Sequence, residues 1–191
     1  MGWTFYPTPP RHERAEIMNL FTWKSDKFTT KVLALSKVSS IWFAAVKFTP
    51  RPGEDIKSGH YTSDPDGSFT WCAVFLTERC NGEWGYKDLT ESMGPASPYC
   101  RCPAGVLKHL SPTNCDYALQ FRAASVIWNN RPKPKPGQTI KTSRMLSFSN
   151  GAYDTFTRQP TKQGNMIFRT YPGGALVRLR GQDLLEAEFV T

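Results

Sequence analysis

Apolar and polar residues alternate along much of this chain, and a helical period appears in only a few places. Residues 2–6 alternate over a short span and predict a strand. Thr8-Pro9-Pro10 predicts a helix start, with Thr8 as the N-cap and Pro9 at the first helical position. Ile17, Leu20 and Phe21 would share one face of that helix, over 10–23, and Ser25-Asp26-Lys27 would break it. Residues 29–37 and 40–48 predict an antiparallel pair turned at Ser39-Ser40. The first of these is ambiguous, because Val32-Leu33-Ala34-Leu35 suits either a helix or a strand. The second is apolar on both faces, as a central strand would be. A polar loop then runs from Thr49 to about Gly67. Its end, Asp64-Pro65-Asp66-Gly67, fits a type I turn; a calcium loop would need further acidic positions and a closing glutamate. Strand 69–78 follows, and Asn81-Gly82 predicts a hairpin leading into 83–86.

Helical spacing returns after the cysteines. Cys102-Pro103 predicts a helix start with Val106, Leu107 and Leu110 packing inward. A longer helix would be capped by Ser111 or Thr113, with Asp116 at its positive end. Ala118, Phe121, Ser125 and Trp128 form its inward stripe, and Arg122 lies on the stripe's edge. Asn129-Asn130 and Pro132 stop it. Arg131-Pro-Lys-Pro-Lys-Pro136 then predicts an extended, semi-rigid spacer. Short strands are expected at 138–142, 145–149, 152–157, 165–170, 174–180 and 186–190. Turns are expected at Asn150-Gly151 and, as type II, at Tyr171-Pro172-Gly173-Gly174. Val177 and Leu179 would share one face of their strand, with Arg178 and Arg180 on the other.

These elements predict an α+β protein: an antiparallel sheet with flanking helices over 1–130, a linker over 131–137, and a small closed β-barrel over 138–191. The barrel resembles Tudor-type modules. A chain of 191 residues is long enough to bury a sizeable core without covalent staples. Five cysteines, an odd number, and a start with neither a basic n-region nor an apolar h-region predict reduced thiols in a cytosol. No apolar run reaches the length of a membrane span.

Charge separates the two parts. Residues 1–130 carry 14 Lys and Arg against 12 Asp and Glu, whereas residues 131–191 carry 10 against 4. The basic excess of the C-terminal third favours nucleic acid, an anionic surface or an acidic protein partner, or serves solubility alone. Stacking and phosphate contacts would fall to Tyr153, Phe156, Arg158, Arg169, Tyr171 and Arg178, with Arg131, Lys133 and Lys135 of the linker tracking a backbone.

A second candidate region lies between the two halves. In 83–95, Trp84 and Tyr86 share one strand face beside Lys87, Asp88 and Glu91. One reading is a polar pocket with Lys87 binding an anion and Asp88 or Glu91 acting as acid or base. The other is a turn, capped by Asp88 or Thr90 and ended by Met93-Gly94-Pro95. His12 reads as a solvated surface residue. Cys100, Cys102, His109 and Cys115 could supply four metal ligands, but Cys-x-Cys departs from the usual Cys-x2-Cys spacing, so no metal and no cofactor is expected.

The run Trp84-Gly-Tyr-Lys-Asp-Leu-Thr-Glu-Ser-Met-Gly-Pro95, followed by Cys102-Pro103, Leu107, Leu110 and Pro112, resembles the signature of an uncharacterised family of small proteins carried by bacterial phages, plasmids and integrated elements. The resemblance covers 84–122 best. Leu89 stands where that family carries Met, and Cys100 is additional. It implies a mobile-element accessory protein in the cytoplasm of a bacterial host, and carries no activity to assign to a residue. Three functions are therefore weighed. One is a non-enzymatic protein that binds nucleic acid, or a nucleic-acid-handling and possibly host-defence complex. The others are an enzyme centred on Lys87, Asp88 and Glu91, and a phage structural component.

Overall fold

The computed structural model describes residues 4–6, 14–39, 41–55, 59–76, 79–80, 83–86, 89–91, 100–161 and 166–190. The chain divides into two compact units, Met1–Asn129 and Asn130–Thr191. The fold is mixed α+β with antiparallel sheets. The first part runs β1 (Thr4–Tyr6), α1 (Arg14–Leu20), β2 (Phe28–Val38), β3 (Ile41–Pro50), β4 (Phe69–Leu76), β5 (Arg79–Cys80), β6 (Glu83–Tyr86), β7 (Leu89–Thr90), α2 (Ala104–Leu107) and α3 (Asp116–Asn130).

The main sheet has the order β2-β3-β4-β7, and β1, β6 and β5 form a small sheet of their own. Strand β3 is central and buried on both faces. Ile41, Phe43 and Ala45 pack with Cys72, Val74, Val106 and Phe121 on the side of α2 and α3. Ala44 and Val46 pack with Ile17, Phe21 and Phe75 on the side of α1. The ambiguous run at 32–35 is strand. Its register against β3 shifts between Val32 and Ala34, a bulge that leaves Leu33 out of the pairing. Val32 and Leu35 therefore reach the same apolar cluster despite their odd spacing.

Two local expectations change, and the helix start at Pro103 holds. Helix α1 ends at Leu20 rather than 23, because Phe21 and Thr22 donate their N–H groups to the carbonyls of Met18 and Asn19, three residues back. Ser111 and Thr113 do not cap α3, which begins at Asp116. The Ser111 hydroxyl instead accepts the N–H of Thr70 at 2.9 Å, and the Thr113 hydroxyl donates to the His60 carbonyl at 2.6 Å. Pro103 is the N-cap of α2, with its φ of −63° already near the helical value. Thr8, His12, Lys87, Asp88, the Asn81-Gly82 turn and Met93-Gly94-Pro95 lie outside the described residues.

The second unit continues with β8 (Thr139–Phe148), β9 (Gly151–Arg158), β10 (Ile167–Tyr171), β11 (Leu176–Arg178), a 3-10 turn (Gly181–Leu184) and β12 (Glu188–Phe189). The strand order is β11-β10-β9-β8-β12, so β11 and β12 stand at opposite edges and the ladder does not close into a barrel. Residues 138–149, expected as two strands, form one with an irregular register between Lys141 and Leu146. Ile140, Phe156, Phe168, Val177, Leu179, Leu184 and Ala187 make its core. The β8–β9 turn is Ser149-Asn150 rather than Asn150-Gly151, since Phe148 pairs with Gly151. The turn after β10 contains a cis Tyr171–Pro172 bond and closes from the Gly174 N–H to the Thr170 carbonyl, which replaces the type II geometry expected.

Candidate functional site

Strand β7 delivers Glu91 beneath the main sheet. Its side chain has no exposed surface, and Arg122 of α3 meets both carboxylate oxygens, Nε at 2.6 Å and Nη2 at 2.9 Å. Such a two-pronged, charge-assisted contact is the geometry a guanidinium fork favours. The Tyr61 phenol hydrogen-bonds to the same carboxylate. Burial pushes that phenol well above its usual range, and the Glu91 charge pushes it further. Glu91 is thus engaged on both oxygens within the interior. Trp84 and Tyr86 lie in β6, whose backbone ladder with β1 sets Trp84 opposite Tyr6 and Tyr86 opposite Thr4.

Cys72 and Cys102 belong to the core cluster that includes Phe121 of α3, and Cys100 packs against it. Cys72 and Cys102 are both buried, with sulfurs 3.7 Å apart. The hydrogen bond to Cys102, and then burial, raise the Cys72 thiol well above its usual value; burial also raises Cys100. Neither therefore has the depressed pKa that activates a thiol nucleophile. Helix α3 pins this segment. Ser125 accepts the Cys102 N–H, Asn129 donates to the Cys102 carbonyl at 2.8 Å, and the Arg101 guanidinium lies 4.4 Å from the Trp128 ring centroid. Among the described residues, no three His, Cys, Asp or Glu side chains gather as metal ligands, so Cys100, Cys102, His109 and Cys115 do not converge. Asp64 and Asp66, beside the calcium question, are held by Lys47 at 3.3 and 3.7 Å and by the Ser68 hydroxyl. Hydrogen bonds from Ser68 keep the Asp66 carboxyl below the usual carboxylate range.

In the second unit the candidates divide by strand face. Arg169 and Tyr171 project outward from β10, on either side of the buried Thr170. Arg178 projects outward from β11 beside the inward Val177. Arg169 stands opposite Leu176, and Arg178 opposite Ile167, so the two arginines occupy diagonal positions. At about 7–8 Å apart, diagonal residues let long side chains meet one phosphate. The row through Tyr171 continues to Thr155, Lys141 and Glu188, and the row through Arg169 to Thr157 and Thr139. This face carries Arg169, Arg178 and Lys141 among threonine hydroxyls, together with the exposed Tyr171 and Leu176, Ile167 and the Glu188 carboxylate. Tyr171 is 71 % exposed, and among these outward cations Lys141 alone meets a carboxylate, Asp154 at 3.5 Å.

Arg169 also braces the turn after β10, its Nη1 donating to the Gly174 carbonyl at 2.8 Å, and the other candidates have structural work. Phe156 is fully buried and belongs to the core. The Tyr153 hydroxyl donates to the Asn150 carbonyl at 2.8 Å, and its ring lies against Gly151 and Gly173. The Arg158 guanidinium sits 5.5 Å from the Phe168 ring centroid, on the core side of the sheet. Lys133 and Lys135 are exposed, and Arg131 is half-buried. The end of the expected spacer is fixed: Gln138 bonds back to Lys135, and the Gly137 N–H donates to the Arg158 carbonyl at 2.8 Å.

Alternation in a short strand marked Arg178 as outward, whereas Arg169 and Tyr171 were candidates by residue type alone, with Tyr171 expected in a turn. Sequence patterning missed the Glu91–Arg122 pair, whose partners are separated by 31 residues. The fold and site together define a two-part α+β protein with a basic, hydroxyl-rich sheet face on its second unit. No family model, curated protein or solved structure matches the chain. Among the described residues, no helix is long and apolar enough to cross a membrane.

Proposed function

We propose that this chain is a non-enzymatic binding protein of a bacterial mobile element, acting in the host cytoplasm, and that its C-terminal unit engages nucleic acid or a complex that handles it. The observation that carries the reading is the outward face of β10 and β11. It sets Arg169 next to the exposed Tyr171 along β10, with Arg178 of β11 diagonal to Arg169. Paired cations neutralise adjacent phosphates, and a tyrosine ring gives an unpaired base a stacking surface. The Thr155 hydroxyl already donates to Asp154 at 2.8 Å and that of Thr157 pairs with Thr139 at 2.9 Å, so the phosphate contacts fall to the arginines. Single-stranded nucleic acid fits this chemistry best, because duplex bases leave no face open for Tyr171.

The strand order, with a short turn placing the last strand beside the first of the module, suits a partly open relative of the Tudor-type barrel. The mobile-element reading rests on the run from Trp84 to Pro95. An enzyme at Lys87, Asp88 and Glu91 is disfavoured, since Glu91 is spent on Arg122.

The test is fluorescence anisotropy of the full chain with labelled single-stranded and duplex oligonucleotides over a salt series. Affinity should fall linearly on a log–log plot, and the slope should shrink by about 1 for each of Arg169→Ala and Arg178→Ala. A flat salt response, or equal slopes for both variants and the parent, overturns the reading.

A further inference from the structure

We propose that a cleft at the end of the main sheet, on the α1 side, binds a small ligand carrying both a phosphate and a planar ring, of which a mononucleotide is the simplest. The cleft holds about 590 Å³ and is walled by the segment after α1, the start of β2, and Arg51 just beyond β3. That volume lies in the range of ~300–1,000 Å³ common to small-molecule sites. The site lies wholly in the first unit, and the proposal stands apart from the nucleic-acid reading of the second.

Its walls are held in place. Trp23 and Thr30 are tied by two hydrogen bonds, the Trp23 N–H to the Thr30 hydroxyl at 2.8 Å and that hydroxyl to the Trp23 carbonyl at 3.3 Å. Arg51 donates its backbone N–H to the Lys27 carbonyl at 2.9 Å and its Nε to the Ser25 carbonyl at 3.2 Å. With Nε hydrogen-bonded to the Ser25 carbonyl, the exposed guanidinium is drawn to the cleft, and its two terminal nitrogens offer a fork for an oxyanion. Lys24 adds a second positive charge against the single carboxylate of Asp26 on the same wall. An arginine ordered before the ligand arrives loses less entropy on binding than a free surface cation.

The ring half of the ligand is inferred from the aromatic walls. Phe28 is backed by Phe48, with centroids 4.1 Å apart, and Trp23 meets Trp71 edge-on at 6.2 Å. Both lining rings are thus braced by core neighbours, and such preset surfaces suit a flat heterocycle.

Isothermal titration of the full chain compares adenosine monophosphate, adenosine, ribose 5-phosphate and inorganic phosphate at low salt. The nucleotide should bind saturably and more tightly than each of the other three. Arg51→Ala should weaken it by about tenfold or more, and Lys24→Ala by a smaller, salt-sensitive factor. Arg169→Ala should leave it unchanged, which separates this site from the basic face. Equal affinity for the nucleotide and for adenosine or phosphate alone, or no saturable binding by any of the four, overturns the proposal. Should Arg51→Ala unfold in thermal melts, Arg51→Lys and Lys24→Ala decide, and undiminished nucleotide affinity in both overturns it.

Discussion

Replacing Arg122 by alanine strands a carboxylate in the protein interior. The Glu91 side chain is wholly buried, and Arg122 supplies hydrogen bonds at 2.6 and 2.9 Å to its two oxygens. What remains in the variant is the neutral Tyr61 phenol, which cannot balance the charge. Breaking a buried pair by removing one partner costs about 3–5 kcal/mol, against about 0–1 kcal/mol for a pair in solvent. Arg122 keeps 19 % of its side-chain surface in water, so the loss should fall near the lower end, about 3 kcal/mol. For a domain stable by about 5–15 kcal/mol that is a large fraction. All six tryptophans lie within residues 1–130, so their fluorescence in urea follows the first unit alone. The fluorescence midpoint should drop while the slope with denaturant stays constant. Adding Glu91→Gln to Arg122→Met should recover most of the loss, because no charge is then left without a partner. A loss below about 1 kcal/mol, or a double variant no better than Arg122→Ala, refutes the reasoning.

Three further outcomes follow from the geometry. The raised Tyr61 phenol favours the folded form fully below the ordinary tyrosine value of about 10, and that stabilisation is lost as pH rises above it. Tyr61→Phe should therefore flatten the alkaline limb of a stability–pH curve, which urea midpoints between neutral and strongly alkaline pH would show. Gly151→Ala should destabilise the second unit by about 1–3 kcal/mol, because its φ is 134° and a Cβ would stand 2.9 Å from the Tyr153 hydroxyl; thermal melting by circular dichroism reads this. Cys72 and Cys102, buried and with the Cys72 thiol raised, should resist a water-soluble thiol reagent in the native state and react on unfolding.

The parts of the fold set by local pattern could be read before the structure. Strand β3 was legible because an unbroken apolar run has to be covered on both sides, and it is, by two clusters. The outward Arg178 and inward Val177 and Leu179 were legible from strand alternation alone. The second strand resisted reading because its bulge at Leu33 breaks the two-residue period. The contact that Arg122 makes with Glu91 was not legible for a different reason: its two partners lie 31 residues apart, and nothing local links β7 to α3. Phe156 packs in the core rather than offering a stacking surface; aromatic residues serve cores and interfaces alike, and the side of β9 that packs inward is a tertiary property.

The exposed face of β10 is the central claim, and ultraviolet crosslinking addresses it most directly. The full chain would be irradiated with single-stranded oligonucleotide at low salt, digested with trypsin, and searched for nucleotide-bearing peptides. Cleavage after Arg169 and Arg178 leaves a single peptide, 170–178, that contains Tyr171. A nucleotide adduct on that peptide, lost in Tyr171→Ala and reduced in Arg169→Ala, where the missing cleavage site leaves the longer peptide 163–178, is the expected result. Adducts confined to peptides of residues 1–129, with 170–178 unmodified, would contradict the account.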